Sequence, residues 1–373
     1  MSQISLPVSL GEAIDKLTIL HIKLTKISDA RRNDVQKEYD VLFENLKTHV
    51  EKHNYYYKIL YQINLSLWEL QDKFHHKETS KEEGANICRT ILIENDRRYR
   101  VKAKINTAAN STLREQKGYD LKKVVLYSHL GLGDMYWMNG AVRYLATDYD
   151  EVLVVCKRKY EKNAQAMYAD DPTIKLYIIE DDIDLHPWYL KKYMFSSQGY
   201  DVLGCGGFSD RAQPVIYNLP ESFYDDIRIP HAFRNTYFHV PRTEEALELS
   251  KLYEGHRYII VHEESSVQRL PIADLLRRRG ETRLLLDLNK NQYSKETHPR
   301  EWELAQHVVN KPVLEYTFLL EQADELHMIE SSIYCLASHL DLTNVKERVC
   351  YEPWGGNSER LGLFVTGPKL EKV

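Results

Sequence analysis

The sequence Val124-Val125-Leu126-Tyr127, followed three residues later by Gly131-Leu132-Gly133-Asp134, decides the fold class of this chain. The first run is β-branched and apolar, which favours a buried strand, and the second is a glycine loop. Apolar residues then recur at helical spacing, at Met138, Val142 and Leu145. A strand, a glycine loop and a helix in this order open an α/β unit.

The same alternation continues towards the C-terminus and predicts parallel sheets covered by helices. It is interrupted at residues 214–241, where prolines and aromatic residues dominate, so we expect two α/β halves joined there. Strands are predicted at residues 151–156, 174–179, 202–205, 258–261, 283–288 and 326–329, and helices at 161–168, 272–279 and 315–322.

Towards the N-terminus the pattern is helical throughout. From Leu10 to about Asn110 apolar residues recur every three or four positions, and Ser9 three residues before Glu12 is typical of a capping box. We therefore predict an α/β chain preceded by an all-α helical bundle. The predicted domains are residues 1–119, 120–240 and 241–373, with the C-terminal tail crossing back to the first α/β half.

Composition limits the function classes. The net charge of −5 and pI near 6.3 give no general attraction for nucleic acid. The five cysteines lack CxxC spacing, which argues against a disulfide framework and a zinc site. No signal-like N-terminus or apolar stretch of membrane-spanning length is present, so we expect a cytoplasmic protein without a membrane span.

The loop with Gly131 and Gly133 lies where a strand ends and a helix begins, a place that favours phosphate or a developing anion. It lacks the third glycine of a dinucleotide fingerprint, and no Gly-Lys-Ser/Thr follows. The alternative is a tight turn in which Asp134 caps the helix.

From about residue 122 to 356, the order of elements with this Gly-Asp loop resembles the heptosyltransferase-like GT-B glycosyltransferases. The resemblance implies a GT-B-like pair of Rossmann-type domains, with the acceptor on the first and the nucleotide-sugar donor on the second. It also implies that Asp134 is the general base that deprotonates the acceptor hydroxyl.

The resemblance places donor contacts at the strand ends of the second half. His262 and Glu263 follow the strand at 258–261, and Arg269 is suited to neutralise a leaving diphosphate. The alternative interpretation of Arg269 is that it is a solvated surface arginine. Gly131 and Gly133 are further predicted donor contacts.

Glu330-Ser331-Ser332 resembles the element with which GT-B enzymes contact the donor, and Tyr316 is predicted as a further contact. Serine hydroxyls at a helix start can hold phosphate, while simple N-capping by Ser331 is the alternative. This chain has Tyr334 and Cys335 where the heptosyltransferase pattern has a histidine.

Asp182-x-Asp184 imitates the metal-binding DxD of GT-A enzymes. A solvated acidic turn is the interpretation we favour, because a DxD enzyme would not need a second α/β half. Histidine spacing indicates no metal site either. We therefore predict a metal-independent enzyme without a cofactor, which uses the nucleotide sugar as substrate.

Residues 6–119 resemble an uncharacterised helical domain family, on motifs such as Asn64 with Trp68 and Asn95-Asp96-Arg97-Arg98. Arg97, Arg98, Arg100, Lys102 and Lys104 make one helix basic, able to meet phosphates, an acidic acceptor or another subunit. We favour a solvated, ion-paired surface, with Glu12 and Asp15 as partners. A homo-oligomer formed through this domain stays open.

The predicted function is sugar transfer from a nucleotide-sugar donor to a glycan, glycolipid or other hydroxyl acceptor. Two alternatives remain. One is a noncatalytic nucleotide- or glycan-binding interaction protein, and the other is a glycosyltransferase acting on modified DNA bases, which the negative charge disfavours.

Overall fold

The computed structural model describes residues 6–76, 79–118, 120–128, 131–205, 219–266, 268–351 and 364–367. The chain divides into two compact units. The first unit contains the residues up to Lys123 together with Tyr144–Val152, and the second contains Val124–Arg143 together with the residues from Leu153 onward. The second sheet and most of the first sheet belong to the second unit. The division into three domains stays a prediction.

Four long helices form the first unit, as the sequence predicts. Two of them begin at a serine: the Ser9 hydroxyl accepts the backbone N–H of Glu12 at 3.3 Å, and Ser80 accepts that of Glu83 at 3.1 Å. These bonds satisfy N–H groups that a helix start leaves unpaired. The helices are α1 Leu10–Lys26, α2 Arg31–Lys52, α3 Asn54–His76 and α4 Lys81–Ala108.

The basic helix is α4, and the prediction that its charges are solvated is wrong. Arg100, Lys102 and Lys104 are buried. The predicted ion pairing is confirmed, because Arg98 Nε donates to Asp15 Oδ1 at 2.8 Å and Lys102 pairs with Glu12 at 2.5 Å. Burial requires such partners, since a buried charge without one is costly.

Two arginines of α4 pair with acids near residue 150, within the first unit. Arg97 donates to Asp148 Oδ2 at 2.8 Å and to Glu94 Oε1 at 2.7 Å. Arg100 Nε donates to Asp150 Oδ1 at 2.9 Å. These bonds explain why Tyr144–Val152 group with the helices.

Replacing Arg97 by methionine is expected to lower the free energy of unfolding by on the order of 2 kcal/mol, because the buried Glu94 and the partly buried Asp148 lose their cation. Urea unfolding measures the change. The control is Lys37→Met, whose exposed pair with Asp34 at 3.4 Å contributes within about 0.5 kcal/mol. Equal effects of the two substitutions would contradict the assigned role of Arg97.

The first sheet has the strand order β3-β2-β1-β4, and a helix lies in the chain between each consecutive pair of strands. The Cys205 N–H, just after β4, donates to the Tyr127 carbonyl at the end of β1, 3.0 Å away. The strands are β1 Lys123–Tyr127, β2 Glu151–Lys157, β3 Ile174–Ile179 and β4 Tyr200–Gly204, and the helices are α5 Leu132–Asp148, α6 Glu161–Met167 and α7 Trp188–Ser197.

Three helices lie between the two sheets in the chain: α8 Leu219–Asp225, α9 Phe233–Thr236 and α10 Glu244–Lys251. None of these three helices is among those predicted from the sequence, and residues 214–241 show too little periodicity for a prediction. Residues 206–218, which include the start of the connection expected at residues 214–241, lie outside the described residues.

The second sheet is parallel in every pairing the structure describes, with the order β6-β5-β7-β8-β9. The predicted α/β class is therefore confirmed. The strands are β5 Tyr258–His262, β6 Leu284–Asp287, β7 Glu325–Ile329, β8 Glu347–Tyr351 and β9 Val365–Thr366, and the helices are α11 Ile272–Arg278, α12 Pro299–Gln306, α13 Thr317–Gln322 and α14 Ser332–Ala337. The predicted crossing of the tail falls mainly on residues 352–363 and 368–373, outside the described residues.

Each sheet has a point at which the chain reverses its direction of winding. In the first sheet this point lies between β1 and β4, and in the second it lies between β5 and β7. Ligands of open parallel sheets bind beyond the carboxyl ends of the strands at such switch points. The strand orders thus select the ends of β1, β5 and β7 as the places to examine.

Helix α5 is closely packed at Gly140. A Cβ atom there would lie 2.4 Å from the carbonyl oxygen of Phe233 and 2.9 Å from the Cα of Arg234. Tyr224 adds a hydrogen bond of 2.8 Å from its hydroxyl to the carbonyl of Trp137. The absent side chain of Gly140 therefore lets α9 lie directly against α5.

Gly140→Ala is expected to destabilise the protein by about 1–3 kcal/mol, because backbone atoms must move to admit the methyl group. This loss outweighs the roughly 1 kcal/mol that alanine gains over glycine within a helix. Thermal or urea unfolding measures the effect. Gly118→Ala is the control, since nothing lies within 4 Å of its added Cβ, and a stable Gly140→Ala protein would refute the contact.

Candidate functional site

The first candidate residues lie at the start of α5. The Gly131 N–H donates to Asp134 Oδ2 at 2.9 Å, and the Met135 N–H donates to the Gly131 carbonyl at 3.3 Å. Asp134 therefore occupies the third helical position and reaches back to the capping residue, as the acid of a capping box does. The capping interpretation left open by the sequence is thus present, and it orients the carboxylate that we predict as a base.

The start of α5 lies against the start of α14. A Cβ at Gly133 would come within 3.0 Å of Cys335 Sγ and 3.6 Å of Ser332 Cα. Burial raises the pKa of the Cys335 thiol well above its usual value, and the charges of Asp134 and Glu330 raise it further. The structure therefore brings together five of the residues selected from sequence: Gly133, Asp134, Glu330, Ser331 and Ser332. Their role as ligand contacts stays a prediction.

Ser331 joins the ends of β5 and β7 across the switch point of the second sheet. Its hydroxyl accepts the Tyr334 N–H at 3.3 Å and lies 3.1 Å from Nδ1 of His262. Burial lowers the pKa of His262 to about 4, so the ring is neutral at pH 7. Ser331 is thus the N-cap of α14, and the neutral imidazole of His262 positions its hydroxyl.

Glu263 follows β5 and is a buried carboxylate surrounded by donors. Lys290 Nζ lies 3.0 Å from Oε1, and the guanidinium of Arg269 lies 3.9 Å away. The carboxylate also accepts from Gln292 Nε2 at 3.1 Å and from the Ala273 N–H at 3.2 Å. The Glu263 carboxylate is therefore engaged by other groups of the protein, and it positions Lys290 and Arg269 at the carboxyl end of the sheet.

Asp287, at the end of the adjacent strand β6, is a site residue that sequence reasoning missed. Its Oδ2 accepts from Gln292 Nε2 at 2.5 Å, and its Oδ1 accepts from the Asn289 N–H at 2.9 Å. Burial raises its pKa to about 6, and the nearby Glu263 charge adds to this. The available signal was an acid directly after the apolar run 284–286, the same pattern that selected Glu263.

Tyr316 does not lie where a donor contact was expected. Its side chain is buried, its hydroxyl donates to the Val308 carbonyl at 2.7 Å, and it accepts the Lys311 N–H at 2.7 Å. A hydroxyl with both backbone partners in place holds the turn that follows α12 and precedes α13. We therefore leave Tyr316 out of the site.

In the acidic turn at residues 181–184, one carboxylate oxygen of Asp184 is engaged by the backbone. Asp184 Oδ2 accepts the backbone N–H groups of Glu180 at 2.9 Å and Asp181 at 3.0 Å. These bonds lower its pKa. The capping role of Asp184 agrees with the acidic-turn interpretation.

One mixed cluster has metal-ligand composition. Ligand atoms of Glu325, His327 and Glu347 lie within 4.8 Å of one another at the beginning of β7 and β8. Arg283 NH1 already lies 2.7 Å from Glu325 Oε1. This cluster is at the opposite strand ends from the candidate site, and the expected absence of a metal and a cofactor stays a prediction.

A cavity of about 760 Å³ lies beside the edge strand β6. Among its lining residues are Arg277, Tyr293 and Arg300, and none of the predicted donor contacts belongs to them. Arg277 is already engaged, through a 2.5 Å bond to the Gln292 carbonyl and a contact with the Tyr293 ring. The volume of this cavity is therefore no reason to place the candidate site there instead of at the switch points.

Residues 4–128 match a family model described as a family of unknown function, DUF6165. This is about a third of the chain, and similarity to that family carries no statement about activity. No curated protein matches. Among the described residues, no helix is both long and apolar enough to cross a membrane.

Two solved structures are similar to the chain, each at a TM-score of 0.39. One is a glycosyl transferase of family 9 from Veillonella parvula, 13% identical, with 63% of this chain and 83% of that chain covered. The other is the iron-containing dodecameric glycosyltransferase TibC from enterotoxigenic E. coli, 16% identical, with 69% and 65% covered. At these values the similarity carries no argument about what this chain binds.

His262 predicts a pH dependence of stability. Its pKa is about 4 in the folded protein and 6.5 as the ordinary value, so the unfolded chain takes up the proton first as pH falls. Stability is therefore lost from pH 6.5 down towards 4, by a few kcal/mol at about 1.4 kcal/mol per pKa unit. Substitution by glutamine removes this contribution.

Urea unfolding of wild type and His262→Gln at pH 7.5 and pH 5 measures the difference. Other titrating groups contribute equally to both proteins, so the variant should lose less stability between the two values. His307→Gln is the control, because that ring is about half exposed. Parallel losses in wild type and His262→Gln would show that His262 is not held neutral.

Proposed function

We propose that this chain is a glycosyltransferase that transfers a sugar from a nucleotide-sugar donor to a hydroxyl acceptor. The observation that carries the proposal is the approach of α5 and α14, whose starts follow the switch points of the two sheets. Each switch point alone is a place for a ligand. Two of them in contact can hold two ligands with their reacting groups together, which a transfer reaction requires.

The second sheet is the proposed donor side. Lys290 and Arg269 are anchored by Glu263, yet each keeps about two fifths of its side chain exposed, at 44% and 39%. A fixed but accessible cation suits a diphosphate whose negative charge grows as the sugar leaves. Gly131, Gly133, Glu330, Ser331 and Ser332 complete the proposed donor contacts.

Asp134 is the proposed general base. Its carboxylate takes the proton of the acceptor hydroxyl, whose oxygen forms the new bond to the anomeric carbon. The bond between that carbon and the phosphate oxygen breaks, and the nucleoside diphosphate leaves with the electron pair. The capping bond from Gly131 fixes the carboxylate for this task, and proton removal of this kind contributes about 10²–10⁴-fold to rate.

The remaining parts of the proposal concern setting and partners. We propose metal-independent transfer in the cytoplasm, with a glycan, glycolipid or other hydroxyl compound as acceptor. The helical unit is proposed to serve acceptor binding or self-association. The negative net charge continues to disfavour nucleic acid as acceptor.

Thermal unfolding in the presence of UDP, GDP, CMP and dTDP sugars tests donor binding. A ligand at about 100 times its dissociation constant stabilises the folded state by roughly 2.7 kcal/mol, and we expect one nucleotide class to do so. Sugar release or transfer is then measured with that donor. Stabilisation without any turnover would favour the noncatalytic binding protein.

Asp134→Asn is expected to lower turnover by at least about 100-fold while donor binding persists, because the amide oxygen can still accept the Gly131 N–H but cannot act as a base. Initial rates and donor-induced stabilisation measure the two effects separately.

Asp184→Asn is the matched control. Asp184 also accepts backbone N–H groups, so the substitution makes the same chemical change at a second capping acid and should leave turnover intact. Full activity of Asp134→Asn removes Asp134 from the mechanism. Loss of activity only in Asp184→Asn would favour the metal-binding DxD alternative.

A further inference from the structure

Arg234, on α9, is a partly buried arginine to which the mechanism assigns no role. Its guanidinium lies over the ring of Trp137 on α5, 5.2 Å from the centroid. Within the described residues it makes no ion pair and no hydrogen bond. Its Nε is enclosed without a partner, whereas the two terminal nitrogens are not enclosed.

A partly buried guanidinium without a carboxylate partner is costly. Arg143, on α5, provides the comparison. Arg143 is fully buried, and its guanidinium makes two bonds to Asp170, of 2.7 and 2.9 Å, and one of 2.8 Å to the Met167 carbonyl. The guanidinium of Arg143 thus has a carboxylate partner for its charge, although its Nε, like that of Arg234, makes no hydrogen bond. Arg234 has a cation–π contact of about 1 kcal/mol, which does not replace a carboxylate.

The surroundings of Arg234 also contain polar atoms without partners. The hydroxyl of Tyr334 and Nε2 of His339 are enclosed and make no hydrogen bond. Both rings contact Trp137, at centroid distances of 6.4 and 4.8 Å. Burial lowers the pKa of Arg234, and the nearby Tyr224, Glu221 and Tyr334 oppose that shift. Buried polar atoms are normally paired, so several unpaired ones in one place call for an explanation.

The location connects this group with the proposed site. Tyr334 belongs to α14, two residues after Ser332, and Trp137 belongs to α5, one turn after Gly133. Arg234 itself is placed by the close contact of α9 with Gly140. The guanidinium therefore lies beside the same two helices whose starts meet.

We infer that Arg234 binds an oxyanion of a substrate, a phosphate or carboxylate group, against the face of Trp137 and with Tyr334 as its neighbour. The terminal nitrogens of a guanidinium form a fork that matches two oxygens of either group. Glu221 acts on Arg234 electrostatically but, in the part of the chain that the structure describes, makes no ion pair with it, and a bound oxyanion supplies the directly bonded partner. The inference deepens the proposed function and rests on it for the nature of the substrate, but anion binding can be measured without sugar transfer.

Thermal unfolding with inorganic pyrophosphate, inorganic phosphate or malonate, each compared with KCl at equal ionic strength, tests the inference. We expect at least one of the three to stabilise the wild type. Stabilisation by pyrophosphate or phosphate indicates a phosphate-bearing substrate, and stabilisation by malonate alone indicates an acidic acceptor. No stabilisation beyond that of KCl overturns the inference.

Arg234→Met should bind the active anion at least ten times more weakly, and without the anion it should be as stable as the wild type or more so. A purely structural arginine predicts the reverse, a less stable variant with unchanged anion binding. Arg278→Met is the control, since Arg278 is an exposed arginine of the same unit, and its loss should not change anion binding.

Arg234→Gln provides a second variant with the same expected loss of anion binding. If neither variant folds, the charge is structural and the inference fails. If sugar transfer is observed but both variants bind the anion normally, the inference fails while the proposed function stands. If the anion binds through Arg234 but no nucleotide sugar is used, the proposed function fails and the anion site remains.

Discussion

Two glycines on helix α5 let neighbouring elements pack closely against it. Gly133 and Gly140 are seven residues apart, about two helical turns, so they lie on nearly the same side of the helix. At Gly140 an added Cβ would lie 2.4 Å from the carbonyl oxygen of Phe233, so α9 can pack there only because the side chain is absent. At Gly133 an added Cβ would lie 3.0 Å from Cys335 Sγ, a tight contact with α14. The positions of α9 and α14 against α5 both depend on this one surface.

The electrostatics of the second unit depend on how completely each buried charge is compensated. Glu263 has four polar neighbours and holds Lys290 and Arg269 in place. Asp287 is less well compensated, and burial raises its pKa to about 6. The carboxyl ends of β5 and β6 thus carry one buried carboxylate paired with cations and one with a raised pKa, a combination typical of places where ligands bind.

Much of the α/β order could be predicted because apolar runs of strand length end at polar residues. The strand at residues 174–179 is observed at the predicted positions, and β5 extends one residue beyond its prediction. Strand β8 and helix α12 were missed, since neither has a clear apolar period. The order of strands within each sheet, and with it the switch points, is a tertiary property that the local pattern does not contain.

The candidate residues show the same division between local and tertiary information. Ser331 and Asp134 were recognisable as helix-start residues, which depends on neighbours three positions away. That the start of α5 lies against Cys335 could not be inferred, because about 200 residues separate them. Tyr316 shows the converse, since the backbone partners of its hydroxyl, Val308 and Lys311, give no sequence signal. The buried charges of α4 were mistaken for surface charges because two of their partners follow some 50 residues later.

Those partners have a consequence for how the chain can be divided. Asp148 ends α5 and Asp150 directly precedes β2, yet their counter-ions, Arg97 and Arg100, are on a helix of the N-terminal region. A polypeptide that begins near residue 120 would lack both arginines and leave the two aspartates without these ion pairs. The N-terminal helices therefore contribute to the stability of the segment that leads into β2.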